Sequence, residues 1–257
     1  MIAPLLSYLS CGMLAGLLGG YLGIGGGIVI VPYLTMLAGI DMKVAVPVSV
    51  TAIVVNSISS STEYIKRNMV DFELMVSLGI FMTLGNIAGS LISPLVPESG
   101  VQFLFGLTLL YTAYSFIRQS DNGSVPDRPA HEHRHFYPAL VVAFFTGALG
   151  ALIGVGGGII IIPFMFVVLG LPLATARGTS SFLIGASTSA SVAVYLWSGR
   201  IDLTVVPPLL VGTIIGGKIG GYFGTLAKPK VVKLLFFTLL LYLAGRFIYL
   251  AVGEWIA

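Results

Sequence analysis

Apolar and polar positions alternate along the chain in long blocks. Polar breaks leave ten apolar segments, at roughly 3–20, 24–40, 44–64, 72–96, 101–117, 136–153, 156–170, 174–197, 203–226 and 231–251. Several approach or exceed the about 20 residues that a helix needs to cross the hydrocarbon core of a bilayer. The segments at 24–40 and 156–170 are shorter, which marks them as broken or re-entrant elements. The pattern predicts an all-α integral membrane protein.

The segments repeat. GGYLGIGGGIVIVP at 19–32 reappears as GALIGVGGGIIIIP at 150–163, with Gly25 aligned on Gly156 and Pro32 on Pro163 at one and the same offset. That offset also carries Ala45 onto Ala176, Ser49 onto Ser180, Tyr64 onto Tyr195, Asp71 onto Asp202, Gly85 onto Gly216 and Gly89 onto Gly220. A register held across five segments points to duplication. It divides the chain into a first membrane repeat at 1–118, a polar linker at 119–135 and a second membrane repeat at 136–257.

An odd number of crossings per half places the two copies upside down relative to one another. Lys66 and Arg67 follow the third segment, Arg118, Arg128 and Arg134 bracket the linker, and Lys228, Lys230 and Lys233 follow the ninth. With ten crossings these groups share one side, which the positive-inside rule makes cytoplasmic; the loop at 97–100 and both termini then lie outside. Merging each glycine-rich pair into one crossing gives eight crossings and parallel halves, and sets the 228–233 cluster opposite the linker. Two five-segment inverted-topology repeats with glycine-broken helices are therefore the expected architecture, a common construction for alternating-access transporters.

Composition agrees. Hydrophobic residues make up 56% and charged residues 9% of the chain, too little charge to cover a water-soluble surface. The 33 glycines and 13 prolines fit close helix contacts and interrupted helices. Residues 1–20 lack the basic start of a signal peptide and read as a first membrane element. Cys11, the one cysteine, is expected to be a small buried apolar residue. The net charge of +3 lies near membrane boundaries and offers no basic face to nucleic acid.

Chemistry concentrates at the breaks, each G-x-G-G-G followed by four branched aliphatics and proline. Gly25, Gly26 and Gly27 in the first copy, and Gly156, Gly157 and Gly158 in the second, let a helix end and restart inside the membrane. A restarted helix offers unpaired N–H groups and the positive end of its dipole, which attract an anion. Polar residues follow on the next segment, with Thr51, Asn56 and the run Thr179-Ser180-Ser181 as the foremost candidate ligand contacts. Tight helix packing is the competing explanation for glycines and hydroxyls alike.

Arg177 and Lys218 are cations within apolar segments, and Val46 and Ile87 occupy their repeat-equivalent positions. Burying such a charge costs about 2.5–3.5 kcal/mol or more on insertion scales, which points to substrate binding unless the side chain snorkels to the interface. The acids Glu63, Asp71, Glu73, Glu98 and Asp202 lie near segment ends, so the balance favours an anionic cargo. The glycine motif lacks the strand and downstream acid of a dinucleotide fold. His131, His133 and His135 alternate in the linker without a second cluster to complete a metal site. No cofactor, metal or enzymatic motif is expected.

GMLAGLLGGYLGIGGGIVIVPYL at 12–34, its copy TGALGALIGVGGGIIIIPFMFV at 146–167, and the following AVPVSVTAIVVNS and ATARGTSSFLIGASTS resemble the TauE/SafE family of sulfite exporters over nearly the whole chain. The resemblance implies transport of anions such as sulfite or organosulfonates across the cytoplasmic (inner) membrane, with a small anion and the lipid bilayer as partners. One departure is that Gly178-Thr179-Ser180 in the second copy faces Pro47-Val48-Ser49 in the first, so the halves need not contribute equal contacts. The expected activity is secondary transport by alternating access, with export coupled to the proton gradient because sulfite itself titrates near neutral pH. The alternatives are an anion channel or a carrier for a different small organic anion. A homodimer fits a small helical transporter, but no segment marks its contact face.

Overall fold

The computed structural model describes residues 2–118, 136–226 and 230–256, and these are folded as helices and short connections. In chain order they form α1 (Ile2–Leu22), α2 (Gly27–Pro32), α3 (Met42–Lys66), α4 (Phe72–Ile92), α5 (Glu98–Arg118), α6 (Phe136–Ile153), α7 (Gly158–Val167), α8 (Leu173–Trp197), α9 (Val206–Leu226) and α10 (Lys230–Ile256). A π-helical turn, Tyr33–Leu37, extends α2, and a 3-10 turn, Ser93–Leu95, ends α4. Among the described residues, five stretches are long and apolar enough to cross a bilayer: Leu5–Leu22, Met42–Lys66, Phe72–Leu95, Leu173–Trp197 and Val206–Leu226. The histidine-bearing linker lies outside the described residues.

The two short helices turn back along the helices that precede them. Gly26 lies against the Ala15 carbonyl and the Tyr8 and Tyr33 rings meet edge to face with centroids 6.4 Å apart, so α2 runs antiparallel to α1. Gly157 likewise lies against Thr146 of α6. Each pair is a hairpin whose glycine tip is buried in protein, where unpaired backbone is tolerated at membrane depth.

The long helices pack through glycines. Gly212, Gly216 and Gly220 of α9 meet the carbonyls of Leu9, Met13 and Leu17 of α1, and Gly85 and Gly89 of α4 meet those of Phe144 and Ala148 of α6. Met13 and Leu17 are the repeat equivalents of Phe144 and Ala148, so the same contact is built twice with the halves exchanged. Without a hydrophobic drive between helices in lipid, such close approach supplies the van der Waals attraction. α5 packs on α10 through Phe105 and Phe247, whose ring centroids are 4.7 Å apart.

α3 and α8 are the most buried of the five long spans. They run antiparallel: Ser60 meets Ser181, while Tyr64, one turn further along α3, meets Gly178, earlier in α8. Lys66, Arg67, Asp71 and Arg177 thus gather at one end of the molecule, and Lys43, Ser93, Glu98 and Arg200 at the other. Asp71 caps α4 by accepting from the Leu74 N–H at 3.0 Å, and its repeat equivalent Asp202 accepts from the N–H and hydroxyl of Thr204 before α9. Exposed Val76, Ile80 and Leu84 on α4 and Val211, Ile214 and Ile215 on α9 present an apolar outer surface suited to lipid.

Candidate anion site at the glycine breaks

The chain between α1 and α2 turns on Gly23, Gly25 and Gly26, at φ +75°, +88° and +89°; Gly154, Gly156 and Gly157 repeat the turn at +76°, +77° and +78°. Residues with a Cβ rarely enter this left-handed region. The tips face each other: Gly27 abuts the Gly154 carbonyl, and Gly158 abuts Ile24 and the Gly23 carbonyl. A side chain at either position would collide with the backbone of the opposite half.

Two reciprocal hydrogen bonds tie the tips to α3 and α8. Ser49 Oγ donates to the Gly154 carbonyl at 2.7 Å, and Ser180 Oγ donates to the Gly23 carbonyl at 3.0 Å. Ser49 and Ser180 are repeat equivalents, as are Gly23 and Gly154. Within each half a buried tyrosine braces the end of the first helix. Tyr64 Oη donates to the Gly20 and Tyr21 carbonyls, both at 3.1 Å, and Tyr195 Oη to Ala151 at 3.0 Å. Carbonyls freed by the break thereby find donors.

Ile53 of α3 and Ile184 of α8, again repeat equivalents, pack over Gly25 and Gly156 and close the centre between the tips. Both are fully buried. One helical turn beyond them come Ser57 and Thr188, equivalents whose buried hydroxyls have no hydrogen-bond partner. Asn56 is also fully buried and neither its Oδ1 nor its Nδ2 has a partner, although the amide lies against Gly19, Gly26 and Gly217. The Thr146 hydroxyl, beside Gly157, is unpartnered as well. Each such group costs about 1–3 kcal/mol, and their concentration around the breaks marks a place where a polar ligand would recover hydrogen bonds.

The residues singled out in the sequence occupy distinct places. Gly25, Gly26, Gly27, Gly156, Gly157 and Gly158 line the facing tips, and Asn56 lies beside the first. Thr51 is half-buried and bonds back to the Pro47 carbonyl of its own helix at 2.9 Å. The Thr179 hydroxyl accepts from the Asp71 N–H at 2.9 Å, Ser180 holds Gly23, and the Ser181 hydroxyl is 2.7 Å from that of Ser60. Arg177 is half-buried one turn into α8, its guanidinium 5.7 Å from the Tyr21 ring centroid. Lys218 is not brought to the breaks. The glycines flanking it, Gly216 and Gly220, turn inward onto α1, which leaves Lys218 exposed on the outer face of α9 with Ile214, Ile215 and Tyr222.

The plug of Ile53 and Ile184 and the bracing roles of Ser49, Tyr64 and Tyr195 were not anticipated. Ser49 and the tyrosines carried a signal in the repeat offset, but an isoleucine in an apolar segment carries none.

A profile of the family described as sulfite exporter TauE/SafE matches residues 8–247. The chain belongs to this family. Relatives include a probable membrane transporter protein, YunE, of Bacillus subtilis, 27% identical over 93% of this chain and 95% of its own length. A probable membrane transporter protein of Xylella fastidiosa is 27% identical over 87% of this chain and 86% of its own. One from Haemophilus influenzae is 29% identical over 78% of each. No solved structure matches the chain. With several apolar helices and a transporter family, this is a multi-pass membrane transport protein, not an enzyme.

Proposed function

We propose that the protein is a secondary transporter that moves sulfite, or a related organosulfonate or sulfur oxyanion, across the cytoplasmic membrane by alternating access. The carrying observation is the reciprocal pair Ser49 to Gly154 and Ser180 to Gly23, in which each half holds the break of the other. With antiparallel α3 and α8, it supports two inverted five-helix halves that rock about the facing tips. Ile53 and Ile184 close the centre, which favours a carrier with alternating gates over a continuous pore.

The anion binds at the tips. The first N–H groups of α7 have no acceptor within their own helix, and its N-terminal dipole faces the Ile53–Ile184 contact. Asn56, Ser57 and Thr188 supply directed hydrogen bonds, and Arg177 supplies positive charge at one gate. Oxyanions suit such a site because their several oxygens accept many donors at once. The Lys66–Arg67 end is cytoplasmic by the positive-inside rule, and export is coupled to the proton gradient through the titration of the cargo.

Radiolabelled sulfite uptake into proteoliposomes tests this reading, with sulfate, thiosulfate, taurine and sulfoacetate as competitors under an imposed pH gradient. Saturable, gradient-dependent sulfite flux is expected. Absence of flux for sulfite and of competition by any organosulfonate would overturn the cargo assignment.

A further inference from the structure

We infer that Arg200, with Lys43 beside it, forms a second oxyanion-binding site at the gate opposite Arg177. This rests on the anion-transporter reading and extends it to both ends of the pathway.

Arg200 leaves the α8–α9 connection and lays its guanidinium over the Tyr195 ring, 5.2 Å from the centroid. Its Nη1 is buried and has no hydrogen-bond partner. Its Nη2 reaches the Lys43 carbonyl at 3.4 Å and the Ser93 hydroxyl at 3.5 Å, both at the long limit of a hydrogen bond. Among the described residues the one ion pair is Lys66–Glu63, so no carboxylate there neutralises Arg200. Glu98 lines the adjoining recess, where its Oε1 accepts from the Met42 N–H at 2.9 Å; its carboxylate keeps its charge but forms no ion pair with Arg200 or Lys43. A guanidinium carries five donors in a planar fork, matched to the spaced oxygens of a sulfonate or sulfite group. Here that fork is held against an aromatic ring with a buried donor to spare and an exposed lysine alongside.

The repeat gives the position its meaning. The recess at this end is lined by Val46 and Leu152, the repeat equivalents of Arg177 and Tyr21 at the other end. The duplication therefore leaves this gate without the arginine–tyrosine pair of its counterpart. Arg200, whose own equivalent is Met69, restores the charge from a different place in the chain, stacked on the tyrosine that braces the second break. Each gate then combines an arginine, an aromatic ring and the end of a broken helix. In this conformation the recess, walled by the α3 start, Ser93, the α5 start and Leu152 of α6, is too narrow for a water molecule, so the anion binds when these walls part beside Arg200.

Two measurements on the full-length protein test the inference. In the first, phenylglyoxal modification of each arginine in the purified wild-type protein is followed by peptide mass spectrometry in methanesulfonate or chloride. Methanesulfonate should slow modification of Arg200 several-fold and leave exposed Arg246 unaffected; equal rates for Arg200 in both salts would overturn the site. In the second, sulfite flux is measured from each face of sided proteoliposomes. Arg200→Gln should shift the ratio of the two half-saturation constants by about tenfold, as loss of a charge-assisted hydrogen bond does. Arg200→Lys should restore part of the shift. Flux identical to wild type from both faces in Arg200→Gln would sink the inference and leave the transporter intact. Protection of Arg200 in a protein that carries no anion would keep the site and overturn transport.

Discussion

At the scale of single residues, the buried polar groups divide into those that hold the fold and those left open. Ser49 and Ser180 belong to the first class, and removing either hydroxyl orphans a buried carbonyl. Ser49→Ala and Ser180→Ala should each lower stability by about 1–3 kcal/mol, to nearly the same extent. Ser189→Ala, at an exposed hydroxyl bonded within its own helix, should change it little; thermal unfolding in detergent reads all three. Asn56 belongs to the second class. Asn56→Leu removes two unpartnered polar atoms and should keep or raise thermal stability while transport falls, a split that a merely structural asparagine would not give. Lys218→Met should leave the affinity for the anion within about twofold, because the lysine faces outward; a clear loss in flux assays would return Lys218 to the pathway. The places of the facing glycines, of Asn56 beside them and of Arg177 near one end were legible from the motif and the segment boundaries. Lys218 stands out in the sequence because insertion cost marks a lysine as unusual without saying which face of its helix it occupies. Arg200 was passed over because it lies in a connection, where an arginine is ordinary.

At the scale of elements, the proposed mechanism rests on the breaks and on Ile53 and Ile184 packed over them. Gly26→Ala or Gly157→Ala forces a Cβ into the left-handed region, costing about 1–2 kcal/mol before the clash with the Ala15 or Thr146 carbonyl is counted. Either variant should lose transport, and the measurable consequence is a protein that inserts but no longer yields saturable flux. Ile53→Ala and Ile184→Ala open the contact between the tips and should add a leak that is linear in anion concentration; unchanged tightness would remove the plug from the gate. At the start of α9, the Thr204 hydroxyl and then its N–H hold the Asp202 carboxyl below its ordinary value of 3.8. Its folded value thus lies below the unfolded one. The cap's contribution is complete above the unfolded value and is lost as pH falls through the folded one, and Asp202→Asn should flatten this part of the acid limb of the stability curve. The element pattern was readable from hydropathy and glycine spacing, including the two short segments. That they fold back as hairpins depended on contacts between Gly26 and Ala15 and between Tyr8 and Tyr33, which no single segment encodes.

At the scale of the whole molecule, residues one sequence offset apart make matching contacts, and the exceptions fall around the candidate site. The packing of α9 on α1 repeats as α4 on α6, and the serine and tyrosine braces recur in both halves with closely similar lengths. Asn56 opposes Gly217, while its equivalent Ser187 lies on the helix whose Ser191 bonds to Asn86, so the amide has changed helices between the halves. Arg177 and Arg200, at opposite ends of the molecule, likewise have no arginine at their repeat-equivalent positions, Val46 and Met69. A symmetric scaffold with unsymmetric polar contacts suits the proposed carrier, which presents one anion to two different compartments. Sulfite counterflow in proteoliposomes tests this most directly. Vesicles preloaded with unlabelled sulfite should accumulate external labelled sulfite transiently, saturably and faster than empty vesicles. Uptake that rises linearly with concentration and gains nothing from preloading would contradict a carrier and leave a channel in its place.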